Sequence, residues 1–172
     1  MRVAHLSVPK SGSNILRVAM GWEGKERVTG GATHVQMEQL EKQIKYEGDV
    51  NGHLQYTEQF HEMLKDHMII FQYRDPRDTI VSWYEWHKKL GKNRTWRDQI
   101  HLASAQMLAM EPWWEHCDLA VRYEHLVEKE YPETHTFRRG IVGSYKDEFP
   151  PEHWDYYNER CAKVKYWEWN YE

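Results

Sequence analysis

The sequence predicts an α/β fold, in which helices flank a central parallel sheet. Three short apolar runs, each suited to a buried strand, are each followed by a stretch suited to a helix. The chain has 172 residues, of which 40% are hydrophobic and 29% are charged. This size and composition predict a single compact domain that spans residues 1–172.

The first strand–helix unit lies at the start of the chain. Residues 3–8 form a short apolar run, and residues 14–21 place apolar side chains at helical spacing after Ser13 or Asn14 as the N-cap. The stretch 22–31 is charged and rich in glycine, which predicts a loop.

Two further units follow in the same order. The apolar run 67–74 precedes a predicted helix in which Asp75 is the N-cap and Pro76 occupies the first turn. The run 117–123 precedes a helical stretch that begins at Glu124. Further helices are predicted over 97–110 and 152–164.

Charge and cysteine content exclude several function classes. The net charge of −4 argues against a general nucleic-acid binder. Cys117 and Cys161 are far apart and have no metal-like spacing, which indicates reduced thiols and a cytoplasmic location. The first apolar run is too short for a signal peptide. No apolar run reaches the roughly 18 residues of a membrane-spanning helix.

The segment 9–14, PKSGSN, joins the first predicted strand to its helix. Gly12 allows close approach to the backbone, free amides open the helix, and Lys10 adds a positive charge, which together suit a phosphate or sulfate. Further donors come from the side chains of Ser11, Ser13 and Asn14. A nucleotide triphosphatase would place its lysine after the glycines, whereas here it precedes them. The alternative is a simple strand-to-helix turn with a serine cap.

Two basic segments could meet a second anion. Arg74 ends a predicted strand, and Ser82 lies two turns into the next helix, so both can reach one phosphate if that helix packs along the sheet edge. Alternatively, Arg74 pairs with Asp78, and Ser82 is a serine on the helix face. The segment 138–149, RRGIVGSYKDEF, is a basic glycine-containing loop that suits a phosphate or is simply solvated.

Histidines supply the candidate bases. His53 stands at an apparent strand end in the segment NGHLQY, although any single histidine among eleven is more often structural. The segment 61–67, HEMLKDH, does not meet the H-E-x-x-H zinc spacing and is predicted to be an amphipathic helix with surface histidines.

Taken in order, these segments resemble the sulfotransferases that use 3′-phosphoadenosine 5′-phosphosulfate (PAPS), over residues 9 to 149. That family's P-K-S-G-T-T-like loop binds the 5′-phosphosulfate and is similar to 9–14 here. Its R-[ND]-P-x-D-x-x-x-S segment binds the 3′-phosphate and matches 74–82. Its R-K-G-x-x-G-[DS]-[WY]-K segment also reaches the 3′-phosphate and resembles 138–146.

The resemblance implies a single P-loop-like three-layer domain and a set of site residues. His53 would be the general base, and Lys10 would stabilise the leaving phosphate of the product, adenosine 3′,5′-bisphosphate (PAP). No metal is required. The implied donor-binding residues are Lys10, Ser11, Gly12, Ser13, Asn14, Arg74, Ser82, Tyr123, Arg138, Arg139 and Gly140.

The sequence departs from the family pattern at several points. In the cytosolic members of the family, an aromatic residue that stacks on adenine follows the first loop, and Ile15 stands at that position here. Trp22 or Trp83 are the candidates for the adenine contact in this chain. Asn51 stands where the family has a lysine two residues before its histidine. The chain is shorter than many family members, mainly in the segments that bind the acceptor. It lacks the dimerisation motif of the cytosolic members. A small-molecule or carbohydrate hydroxyl is the implied acceptor.

Two other classes of function remain open on the sequence alone. One is a non-catalytic module that binds PAPS, an adenosine bisphosphate or a sulfated ligand. The other is a nucleotide or small-molecule kinase, against which the order of the glycine loop counts.

Overall fold

A computed structural model describes residues 1–29, 32–127 and 141–166. The described part contains a four-stranded parallel sheet in the order β2-β1-β3-β4, flanked by helices, which confirms the predicted α/β class. The strands are β1 Arg2–Ser7, β2 Val50–Gly52, β3 His67–Tyr73 and β4 Leu119–Arg122.

The helices connect the strands and cover the sheet. They are α1 Ser13–Ala19, α2 Thr33–Tyr46, α3 Glu58–Met63, α4 Pro76–Lys89, α5 Trp96–Met110, α6 Trp113–His116, α7 Tyr123–Val127, α8 Tyr145–Glu148 and α9 Trp154–Cys161, with a 3₁₀ turn at Pro151–His153. Asp75 caps α4 as predicted, because its carboxylate accepts a hydrogen bond of 2.8 Å from the Arg77 amide. Within the described residues, the helices are too short or too polar to cross a bilayer.

The parallel register brings the ends of all four strands to one edge, where Tyr123 follows β4. β1 pairs with β2 up to Leu6 opposite Gly52, and with β3 up to Ser7 opposite Gln72. Because the strands are parallel, the segments that follow them emerge at this same carboxyl edge. These are the loop 9–14, His53, Arg74 and Tyr123.

The two faces of the sheet differ in chemistry. Leu6 and Phe71 are fully buried and belong to the main apolar core, together with residues of α4, α5 and α9. His5 and Gln72 lie on the other face, each at most 1% exposed, and the His5 Nε2 lies 2.8 Å from the Gln72 Oε1. A buried polar layer therefore lies beneath the carboxyl edge.

The structure corrects two expectations and adds the helix α2. The segment 61–67 is not one helix: α3 ends at Met63, and His67 begins β3, where it is buried and its Nε2 donates to the Gly48 carbonyl at 2.9 Å. The helix predicted over 152–164 is shorter and ends at Cys161. The helix α2 lacks a sequence-based prediction, although Met37, Leu40 and Ile44 follow helical spacing.

Candidate active site

The loop 9–14 turns the chain sharply from β1 into α1. Lys10 and Gly12 both adopt left-handed backbone conformations, with φ of 65° and 79°. A β-carbon on Gly12 would lie 2.4 Å from Cδ2 of the Tyr123 ring, so the ring packs directly on the glycine backbone. Glycine is therefore required at position 12, for both its conformation and its lack of a side chain.

The serines of the loop have different roles. Ser11 is fully buried, and its hydroxyl donates to the Val8 carbonyl at 2.6 Å. The Gln72 amide donates to the Ser11 carbonyl. The side chains of Ser13 and Asn14 lie at the start of α1, where both accept hydrogen bonds from the Arg27 guanidinium, at 3.1 and 2.6 Å. Ser11 thus holds the turn together, and Ser13 and Asn14 face Arg27.

Arg74 contacts the backbone of the loop 9–14 at Lys10, and the Lys10 side chain reaches α4. The Lys10 ammonium lies 4.6 Å from the centre of the Trp86 ring on α4. The Arg74 guanidinium lies 4.1 Å from the centre of the Tyr123 ring, and its Nη1 is 3.5 Å from the Lys10 carbonyl. The structure therefore brings together Lys10, Gly12, Arg74 and Tyr123, which the sequence proposed for donor binding.

Arg74 is also held by a carboxylate. Its Nη2 lies 3.4 Å from the Asp78 Oδ2 and donates to the Ile141 carbonyl at 3.1 Å. The pairing considered as an alternative on the sequence is thus present. The Arg74 Nε is buried without a hydrogen-bond partner among the described residues. Ser82 is buried two turns into α4 and does not contribute to these Arg74 contacts.

Asp78 positions the glycine-containing segment 143–145. It is fully buried, and it accepts hydrogen bonds from the backbone amides of Gly143 and Tyr145 at 2.7 and 3.0 Å. The Ser144 hydroxyl lies 3.3 Å away. The predicted donor-binding residues Arg138, Arg139 and Gly140 lie outside the described residues.

His53 follows β2 directly and is half-buried. Its Nδ1 lies 2.6 Å from the Ser7 carbonyl, which can only accept, so Nδ1 carries the proton and Nε2 keeps a lone pair. Burial, together with the positive charges of Arg27, Lys10 and Arg17, lowers the pKa of His53 to about 4. The hydrogen bond to the Ser7 carbonyl acts in the opposite direction, toward a higher pKa. The imidazole is therefore neutral at pH 7 and can accept a proton at Nε2.

Sequence reasoning noted Asn51 but assigned no site role to His5, Gln72 or Arg27. Asn51, which replaces the family's lysine, is 1% exposed, and its amide donates to the Glu26 carbonyl at 2.7 Å. His5 and Gln72 had a usable signal, because each is a polar residue inside an apolar run. Arg27 had none, since it is one of several charged residues in a segment predicted to be a loop.

Two other expectations concern a metal and the adenine ring. The residues that the structure describes contain no cluster of three or more His, Cys, Asp or Glu side chains able to hold a metal ion. Trp22 is 6% exposed, with the Lys25 ammonium 5.0 Å from its ring centre. Trp83 packs against the core, 5.8 Å from the His87 ring. The adenine-stacking residue stays a prediction.

The comparisons with known proteins agree with this architecture. The chain is similar over its length to mouse sulfotransferase SULT7A1 complexed with PAP, with 18% identity, a TM-score of 0.63, and coverage of 96% of this chain and 84% of that one. At this identity the likeness shows the fold. No curated protein sequence matches the chain. The family model for the sulfotransferase domain matches residues 3–129, about three quarters of the chain, and the protein therefore belongs to the sulfotransferase domain family.

Proposed function

We propose that this protein transfers a sulfuryl group from PAPS to a hydroxyl group of a small-molecule or carbohydrate acceptor. The observation that carries the proposal is the fixed, neutral imidazole of His53 at the carboxyl edge of the sheet, next to the loop 9–14. Its Nδ1 is held on the Ser7 carbonyl, so its Nε2 is available as a base. Membership of the sulfotransferase domain family supports this assignment.

The donor fits the residues at this edge. The backbone amides of residues 12–14 would hold the 5′-phosphosulfate. Arg74 would bind the 3′-phosphate, because its Nε is buried and lacks a partner among the described residues, and a planar guanidinium can donate two hydrogen bonds to a phosphate. Tyr123, which contacts both Gly12 and Arg74, would lie against the adenosine. The PAP complex of the mouse protein supports a donor of this class.

Four other residues are proposed to bind the 3′-phosphate together with Arg74. Ser82 would add its hydroxyl from α4. Arg138, Arg139 and Gly140, which lie outside the described residues, are proposed for the same phosphate because of the motif that they match.

The reaction exchanges one sulfur–oxygen bond for another. The acceptor oxygen attacks sulfur and forms the new bond, while the bond from sulfur to the bridging oxygen of the 5′-phosphate breaks. His53 Nε2 takes the proton of the acceptor hydroxyl, a contribution typically worth about 10²–10⁴-fold in rate. PAP leaves with the bonding electron pair on its phosphate, and Lys10 stabilises that charge after its flexible side chain leaves Trp86.

Calorimetric titration tests the donor site. PAP should bind the wild-type protein more tightly than AMP or ATP, and Arg74→Ala should weaken PAP binding by at least about tenfold, since a charged hydrogen bond is worth roughly 1.5–3 kcal/mol. Arg97→Ala is the matched control, because Arg97 lies on α5 and stacks on Tyr156. Equal or tighter binding of ATP would contradict the 3′-phosphate site and favour a kinase.

Turnover separates an enzyme from a binding module. With PAPS and a panel of hydroxyl acceptors, His53→Ala should lose at least about 100-fold in kcat while it still binds PAP. A wild-type protein that binds PAP but transfers no sulfuryl group to any acceptor would favour the non-catalytic module.

A further inference from the structure

Arg27 is a partly buried cation with an incomplete set of partners. Its Nη2 donates to the Ser13 hydroxyl and the Asn14 side-chain oxygen, both of which are neutral. Its Nε is buried without a hydrogen-bond partner, and within the described residues no carboxylate forms an ion pair with it. A cation withdrawn from water without a counter-charge is costly, so an anion is expected to complete this site.

The charge of Arg27 persists at neutral pH. Burial, with the neighbouring Arg17 charge, lowers the pKa of Arg27 to about 10, which leaves the guanidinium protonated at pH 7. Arg17 itself does not compete for the same contacts, since its Nη2 donates to the carbonyls of Trp22 and Lys25 at 2.9 and 2.7 Å.

The backbone fixes Arg27 in relation to His53. The Val28 amide donates to the Asn51 carbonyl, and the His53 amide donates to the Val28 carbonyl, both at 2.9 Å. A β-carbon on Gly52 would lie 2.0 Å from the Val28 oxygen, so glycine is required for this close approach. Two backbone hydrogen bonds thus hold Val28, the residue that follows Arg27, against Asn51 and the proposed base His53.

Side-chain amides of α2 and β2 hold the same segment. Gln36 donates to the carbonyls of Thr29 and His53, each at 3.2 Å. Gln43 and Asn51 both donate to the Glu26 carbonyl, at 2.6 and 2.7 Å. All three amide side chains are at most 1% exposed. We name residues 26–29 the arginine strap, because buried hydrogen bonds hold it beside β2 and present Arg27.

From this arrangement we infer that Arg27 is a catalytic residue that binds the oxygens of the sulfuryl group during transfer. The inference rests on the proposed function. Lys10 belongs to the loop 9–14 and its ammonium lies over Trp86 of α4, whereas Arg27 belongs to the strap beside β2, so the two cations come from different segments of the chain. A planar guanidinium can bind two sulfuryl oxygens at once.

Arg27 transfers no proton in this step. The acceptor proton goes to His53 Nε2, the electron pair of the broken bond goes to the 5′-phosphate, and Arg27 holds the non-bridging oxygens while sulfur changes partners. Stabilisation of this kind raises kcat more than it raises donor affinity, because the contact is best satisfied in the transition state.

Steady-state kinetics with PAPS and PAP binding test the inference with Arg27→Gln and Arg27→Lys. Loss of one such hydrogen-bond donor typically costs about 10²–10³-fold in kcat, so the kcat of Arg27→Gln should fall by about that factor. Its PAP dissociation constant should change by less than about tenfold. Arg27→Lys should recover part of the lost kcat because it restores the charge. Arg97→Gln on α5, an exposed arginine far from the loop in sequence, should behave as wild type.

Two results would overturn the inference. Unchanged kcat in Arg27→Gln would show that the guanidinium does not contact the reacting group. A parallel loss of PAP affinity, thermal stability and kcat in both variants would show that Arg27 only supports the loop. Failure of the proposed function is distinguishable, because the wild-type protein would then show no sulfuryl transfer from PAPS.

Discussion

The Arg74 guanidinium lies 3.4 Å from the Asp78 carboxylate, and both side chains are almost completely buried. The same carboxylate accepts the amides of Gly143 and Tyr145. One acidic residue on α4 therefore orients the arginine proposed for the 3′-phosphate and also holds residues 143–145.

Replacement of Asp78 should destabilise the fold and the donor site together. Asp78→Ala leaves Arg74 without its counter-charge and removes the acceptor for two backbone amides, which should lower the free energy of unfolding by about 3–5 kcal/mol. Urea denaturation measures this loss. Asp78→Asn keeps one carbonyl oxygen as an acceptor and should lose less. A loss below about 1 kcal/mol for Asp78→Ala would contradict the central role of this carboxylate.

Gly12→Ala should disturb Tyr123. The new methyl group would overlap the Tyr123 ring, and alanine in a left-handed conformation costs a further amount of about 1–2 kcal/mol. We expect PAP affinity to fall by at least about tenfold in calorimetric titration, since the Tyr123 ring and the loop 9–14, both proposed to bind the donor, would shift.

Gly21→Ala is the matched control for Gly12→Ala. Gly21 also has a left-handed backbone, with φ of 68°, but nothing lies within 4 Å of the point that a β-carbon would occupy there. It should show only the backbone penalty and normal PAP binding. Equal effects of the two substitutions on PAP binding would mean that the Tyr123 contact is unimportant.

Lys10 combines backbone strain with a proposed chemical role. Because its φ of 65° suits glycine better than alanine, Lys10→Gly should be more stable than Lys10→Ala by about 1 kcal/mol in thermal or urea denaturation. Both variants should lose sulfuryl transfer, since neither has the ammonium group. A more stable alanine variant would contradict the left-handed conformation, and retained transfer would contradict the role of the charge.

Histidines with lowered pKa values should make stability depend on pH. Burial lowers the pKa of both His5 and His53 to about 4, whereas the unfolded chain titrates near 6.5. The unfolded state therefore binds more protons between these values, and the free energy of unfolding should fall as the pH drops from 6.5 toward 4. Urea denaturation at a series of pH values measures the slope.

Substitution of one histidine tests the cause of that slope. His5→Gln should make the pH dependence shallower, because one of the groups that bind protons in the unfolded state is gone. His34→Gln, at an exposed position on α2, replaces a histidine outside the buried layer and is the control. A slope that is unchanged by His5→Gln would show that other groups account for the pH dependence.

The sequence was most informative where local pattern and backbone chemistry agree. The strands at β1 and β3, the cap of α4 by Asp75, and the edge where Gly12 and Arg74 meet all follow from apolar runs and turn residues. The short β2 was harder to predict, because three residues carry no clear periodicity and its pairing depends on distant segments.

The parts that escaped prediction depend on long-range polar contacts. Arg27 lies in a segment without periodicity, and its position is set by hydrogen bonds to Asn51, Gln36 and Gln43 through the strap backbone. Such contacts join residues that are far apart in sequence, so no local pattern reveals them. The Asp78 contacts to Gly143 and Tyr145 are of the same kind.

The close approach of Val28 to Gly52 also bears on how this scaffold could be redesigned. Main-chain hydrogen bonds and the buried amides of Gln36, Gln43 and Asn51 set the position of the strap beside β2, so side chains other than these are the ones to exchange. Libraries directed at new acceptors should therefore randomise neighbouring side chains and keep position 52 as glycine. Gly52 would then help the fold to accept new acceptor-binding side chains, because its lack of a side chain keeps the strap in place.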